Sequence, residues 1–191
     1  TDEYGGSLEN RARFLLECIA AMRQAVGADY PIWVKLNCAD FMKDGSLTFD
    51  ESKQVMAWLA DAGVQAIEVS GGNTSSLPRK GPIRAIRRTK EPMYFKAYAA
   101  EAAALLKGKV DIGVVGGFRS AGDIEDTLQT TDIAFVSMSR PYLRQPDLPN
   151  LWKNGSTEPA LCISCSRCFG AENVDCIFNK REKEEREKQD A

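Results

Sequence analysis

Apolar positions along this chain recur with two different periods, and the two periods take turns. Between Ser7 and Gly27 the residues Phe14, Leu15, Cys18, Ile19 and Met22 fall three and four apart, the spacing of one helix face. Ser7 can cap that helix and Gly27 can stop it. Pro31 then opens Ile32 to Asn37, an apolar run of strand length that ends in polar residues. A second helix is expected over 49–62, with Val55, Met56 and Leu59 on one face and Gly63 as its stop, followed by a strand over 64–69. An alanine-rich helix over 93–106, ended by Gly108, precedes a strand over 110–115, and a short helix over 120–128 precedes a strand over 133–138.

No two of these strands are joined by a turn of hairpin length, and every connection has room for a helical crossover. The strands should therefore run parallel in an α/β fold. Pattern alone leaves open whether the sheet is doubly wound or part of a closed barrel, and a partial barrel would carry open strand edges. Ser70 to Ser76 is rich in turn formers and leads into a long loop with Pro78, Arg79, Lys80, Gly81 and Pro82, a length that in compact domains usually accompanies function. Beyond Asn150 the alternation stops. A cysteine-rich stretch comes first, then 179–191, dense in Lys, Arg and Glu, which reads as a solvated, fraying helix.

Composition narrows the function classes. With 43% hydrophobic and 27% charged residues the chain can bury a substantial core as a soluble domain. A net charge of -2, with bases interleaved among acids, speaks against nucleic acid or an anionic membrane as partner. No apolar run reaches the roughly 20 residues of a membrane helix and no secretory leader is visible, so a cytoplasmic location is expected. There is no histidine, which removes the commonest general base and a major zinc ligand. The chain starts at Thr1 inside a polar stretch, which suggests a fragment or a processed product.

In parallel α/β folds ligands gather at the carboxyl ends of the strands. Gly116-Gly117 closes the third strand just before a helix, which lets backbone N–H groups approach an anion and aims a helix dipole at it. Ser139-Arg140 closes the fourth and could add a hydroxyl or backbone donor and a guanidinium to the same anion. On the residues alone, a tight turn at Gly116-Gly117 and a surface ion pair at Arg140 explain the pattern equally well. Lys35, taken alone, reads as a lysine snorkelling from a strand end. Cys162, Cys165, Cys168 and Cys176 could surround one metal centre. The first three sit on a tight loop in the manner of iron–sulfur sites, with a Cys₄ zinc site and unligated thiols as the other readings. Cys18 fits the buried face of its helix, and Cys38 follows a strand end.

The opening stretch Thr1-Asp2-Glu3-Tyr4-Gly5-Gly6-Ser7-Leu8-Glu9-Asn10-Arg11-Ala12-Arg13-Phe14 resembles a signature of the old yellow enzyme family that follows the fourth barrel strand. Val114-Val115-Gly116-Gly117, Met138-Ser139-Arg140-Pro141 and Pro146-Asp147-Leu148-Pro149-Asn150 resemble that family's phosphate-binding ends of strands seven and eight. The resemblance covers essentially the whole chain. It implies the C-terminal half of a (β/α)₈ TIM barrel, strands five to eight, over 1–155, a cysteine-rich loop over 156–179 and a charged tail over 180–191. It implies FMN held at its phosphate by Gly116, Gly117, Ser139 and Arg140, with Lys35 beside the pyrimidine end of the flavin. The family more often has arginine at the position of Lys35 and glycine at that of Ser139.

The cysteine loop resembles that of the enoate reductase and trimethylamine dehydrogenase branch, where a 4Fe-4S cluster passes electrons to FMN, although the last gap is shorter here. The implied activity is NAD(P)H-dependent reduction of an activated alkene. The catalytic tyrosine and the histidine pair that grips the substrate are expected upstream of Thr1, so this chain is expected to hold no catalytic residue and to be inactive without the other barrel half. Tyr4 is assigned a structural role at the helix start. Two rival readings remain: a non-catalytic half barrel that self-associates through its strand edges and holds a structural metal, and another FMN or sugar-phosphate barrel.

Overall fold

A computed structural model gives the fold and describes residues 2–84, 92–169 and 174–190. Thr1 of the opening signature, residues 170–173 of the cysteine stretch and Ala191 of the tail lie outside the described residues, as does 85–91 ahead of the alanine-rich helix.

The first helix, α1 (Leu8–Val26), begins where Ser7 Oγ accepts from the Asn10 N–H at 3.3 Å and ends at Gly27, whose φ of 84° no other residue adopts cheaply. Polar residues of the opening signature stitch the preceding loop onto it. Asn10 Nδ2 donates to the Gly5 carbonyl at 3.2 Å, Arg11 Nε to that of Gly6 at 3.2 Å and Arg13 Nε to that of Glu3 at 3.0 Å. Tyr4 rests edge-on against Phe14 and donates to Glu17 Oε2 at 3.1 Å, a helix-start role. The buried stripe of α1 is narrower than its periodicity predicts. Ile19 and Ala12 are buried, Cys18 is half-buried, and Phe14 and Met22 are exposed.

Strand β1 (Trp33–Asn37) is followed by α2 (Phe49–Asp61), where Thr48 and Glu51 form a reciprocal capping box, and then by β2 (Ala66–Ser70). Helix α3 (Lys96–Leu105) starts later than the alanine run predicts, since Met93 takes a left-handed φ of 53° that no helix can include. Strand β3 (Asp111–Val115) leads through Ser120, whose Oγ accepts from the Asp123 N–H, into α4 (Ala121–Thr130) and β4 (Phe135–Ser137). The last strand is shorter than the apolar run 133–138 because its ladder covers only Gly113 to Val115 of β3. Two short helices, α5 (Arg140–Arg144) and α6 (Leu148–Lys153), were not foreseen; each carries proline in its first turn, where a missing N–H costs nothing. A 3-10 turn (Arg167–Phe169) precedes the tail helix α7 (Ile177–Gln189). The start of α7 is anchored rather than free: Arg144 pairs with Glu182 and Asn179.

The four strands are all parallel and lie in sequence order, β1-β2-β3-β4. Their register puts Val34, Ile67 and Ile112 in one row, with Val114 on the same face, and all four are buried against the helices alongside Val55, Met56, Leu59, Ala99, Ala102 and Leu106. Side chains alternate between faces along a strand, so Trp33, Lys35, Glu68, Gly113 and Phe135 point the other way. That face is open: Trp33 is 65% exposed. Trp33 of β1 stacks on Phe135 of β4 with ring centroids 5.1 Å apart. In a flat sheet those strands would stand about 14 Å apart, three strand spacings, so the sheet curls strongly toward its open face. Gly113 permits the curl, since a Cβ there would lie 2.2 Å from the Phe135 ring.

Candidate functional site

A pocket of about 190 Å³ lies at the carboxyl ends of the strands, where Ser70, Val115 and Ser137 meet the loops that follow. Lys35, Gly116, Gly117, Ser139 and Arg140 all line it, so the fold brings together five residues that stand up to 105 positions apart in the chain. Gly116 and Gly117 have φ of 115° and 87°, and a Cβ on either would come within 2.6 Å of Tyr94 or of the Met93 backbone nitrogen. The turn therefore needs two glycines both for its dihedrals and for the close approach of Met93 and Tyr94. Pro82, Ile83 and Tyr94 wall the other side, with Tyr94 Oη donating to the Pro82 carbonyl at 3.3 Å.

That wall is held down by Arg84. It is 4% exposed, its guanidinium lies 4.5 Å from the Tyr94 ring centroid and 4.9 Å from that of Phe95, and it donates to the carbonyls of Gly81 and Lys80. A guanidinium buried among aromatic faces is stabilised by their quadrupoles. Cys38 lies on the helix side of this layer and does not line the pocket; burial pushes its thiol up to about 12.

Charge in the pocket is one-sided. Lys35, Arg119 and Arg140 line it, and among the described residues no Asp or Glu does. Lys35 Nζ is paired with Glu68 Oε1 at 2.5 Å on the open face of the sheet. The Arg140 guanidinium donates to Ser166 Oγ at 3.1 Å and to the Arg84 carbonyl at 3.2 Å. Arg119 was missed by sequence reasoning, because an arginine two residues past a glycine pair carries no periodic or spacing signal. Its Nη1 is buried without a hydrogen-bond partner among the described residues, and burial lowers its pKa, opposed by the neighbouring Cys162 sulfur. An orphaned buried donor beside a glycine turn in a carboxylate-free pocket fits an anionic group such as a phosphate.

All four cysteines of the C-terminal stretch line a second, small cavity of about 20 Å³ together with Arg140. Cys168 is buried, and its thiol is raised by that burial. Ser164 and Ser166, interleaved with the cysteines, take left-handed φ of 56° and 62°, and Ser164 Oγ is buried without a partner. Loops with alternate left-handed residues form the concave amide nests found at anion and iron–sulfur sites. Among the described residues, no three His, Cys, Asp or Glu side chains stand close enough to hold a single metal ion. Arg140 lines both this cavity and the strand-end pocket, so the two share a wall.

No helix among the described residues is long and apolar enough to cross a membrane. The chain is 34% identical over 179 residues to an NADH oxidase of Thermoanaerobacter brockii, covering 92% of this chain and 25% of that one. It is 29% identical to a cinnamate reductase of Clostridium sporogenes over 96% of this chain and 30% of the relative. A 2-naphthoyl-CoA reductase structure superposes with a TM-score of 0.64 at 28% identity, over 85% of this chain and 24% of the other. The chain thus spans about a quarter of the length of such relatives. The profile of the NADH:flavin oxidoreductase / NADH oxidase family runs from the opening signature through the glycine turn and the Ser139-Arg140 helix start, over residues 1–158, and the chain belongs to that family, the old yellow enzyme family.

Proposed function

We propose that this chain is the FMN-holding C-terminal half of a (β/α)₈ barrel in an NAD(P)H-dependent oxidoreductase that reduces activated alkenes. The observation that carries the reading is the strand-end pocket, where, among the described residues, a two-glycine turn and three cations converge with no lining carboxylate. The sheet's curl and its open face support a barrel whose remaining strands lie elsewhere in the protein. A pocket of about 190 Å³ is also smaller than the roughly 300–1,000 Å³ of a complete small-molecule site, as expected of one wall.

In this reading the backbone N–H groups of Gly116, Gly117, Ser139 and Arg140 hold the FMN phosphate. Lys35 faces the pyrimidine end of the ring, where a cation favours negative charge. FMN, when bound, supplies the hydride relay between NAD(P)H and the alkene. Pro82, Ile83 and Tyr94 exclude water from one side of the site, and Arg84 keeps them there. No residue of this chain is assigned the proton transfer; the donor belongs to the other half.

Cys162, Cys165, Cys168 and Cys176 hold a 4Fe-4S cluster in the same reading. The shared cavity and the left-handed serines support it. The segment 1–155 then binds flavin, 156–179 holds the cluster and 180–191 is a tail.

The test is anaerobic reconstitution of the intact protein with FMN, followed by NADH or NADPH and a cinnamate-type alkene, together with iron, sulfide and zinc analysis. Stoichiometric FMN, four irons and saturation of the alkene are expected. NAD(P)H oxidation by oxygen with no alkene turnover would remove the substrate class. A concentration-dependent oligomer with metal and no flavin would favour the self-associating module.

A further inference from the structure

We infer that Arg119 is the side chain that grips the anion in the strand-end pocket, and that this anion is a phosphate monoester. The assignment rests on the FMN reading above and adds to it a residue that neither the motifs nor the family pattern brought forward.

Among the described residues three cationic side chains line the pocket, and two of them are held by oxygen acceptors. Lys35 is held by Glu68 at 2.5 Å. Arg140 bridges Ser166 and the Arg84 carbonyl, which fixes its guanidinium between the cysteine loop and the loop after β2. Arg119 has its side chain beside the Cys162 sulfur, yet it alone keeps a buried guanidinium nitrogen, Nη1, without a partner among the described residues. Buried donors are nearly always satisfied, so an orphan on a cation marks the place where an acceptor belongs. Its backbone is pinned: the Arg119 carbonyl accepts from the Ala160 N–H at 2.7 Å, and the residue follows the Gly116-Gly117 turn by two positions. The same short segment thus delivers backbone amides and a forked guanidinium to one spot.

The chemistry of the ligand follows from what the spot offers. A phosphate monoester carries between one and two negative charges and three acceptor oxygens, enough to engage both a backbone turn and a bidentate fork. Arg140 keeps its place at the pocket through its backbone and the start of α5, while its side chain ties the pocket to Ser166 and so to the cysteine loop.

Dissociation constants of FMN and of riboflavin, which lacks the phosphate, measured by flavin fluorescence on the intact protein, test the assignment. The wild type should prefer FMN, and Arg119→Gln should cut that preference about tenfold or more while riboflavin binding stays close to wild type. Inorganic phosphate should compete with FMN in the wild type and compete less in Arg119→Gln. Arg119→Lys keeps the charge, loses the fork and should lose part of the preference, which allows the ratio to be read even where the glutamine variant is too unstable. An unchanged FMN-to-riboflavin ratio in both variants would overturn the assignment and leave the flavin reading standing. A wild type that binds neither flavin would overturn the flavin reading and this assignment with it.

Discussion

The two faces of one four-stranded sheet are built to different standards. On the helix side Val34, Ile67, Ile112 and Val114 are each at most 7% exposed and pack in a continuous apolar layer. On the other side the same strands present a tryptophan, a lysine–glutamate pair and a phenylalanine, with Trp33 largely in solvent. Parallel sheets are normally covered on both faces. The first face is covered by helices of this chain; the second leaves Trp33 in solvent.

That contrast sets the order of expected effects. Ile112→Ala removes a wholly buried side chain from the complete face and should cost about 2–5 kcal/mol in denaturant or thermal unfolding. Gly113→Val acts on the other face, where the new Cβ would strike the Phe135 ring; the expected loss is about 1–3 kcal/mol, accompanied by a change in Trp33 fluorescence as the stacked pair parts.

Cys38 provides a pH handle on the complete face. Its thiol is held protonated by burial, with a folded pKa of about 12 above its ordinary 9.0, so its contribution is fully present below the ordinary value and is lost as pH rises toward 12. Stability should fall by about 1.4 kcal/mol per pH unit in that window, and Cys38→Ala should flatten this limb. Phe135→Ala should cost about 1 kcal/mol, the scale of an aromatic pair; a loss as large as that of Ile112→Ala would mean the open face is covered in the intact protein. Glu68→Gln should be the mildest, below about 1 kcal/mol, since its lysine partner is 60% exposed.

Elements with local signals were legible from the chain. Ser7 and Gly27 sit at helix boundaries because capping and left-handed termination need only neighbouring residues. The short helices at Arg140 and Leu148 escaped because five and six residues are too few to show a helical period, although proline is tolerated in a first turn. The five residues expected at the cofactor do meet in one pocket, since strand ends of a parallel sheet point the same way. Arg119 was invisible, and so was the commitment of Lys35 and Arg140. Glu68 lies 33 positions from Lys35 and reaches it only through the β1–β2 register, and Ser166 lies 26 positions from Arg140.

What the sequence determined by itself was the alternation of strand and helix, the parallel order and the glycine turn, all of which follow from periodicity and backbone freedom over a few residues. Which cations are paired, and which face of the sheet stays open, were decided only in three dimensions. Pairing and burial depend on contacts between distant segments, and no local pattern encodes which partner arrives first.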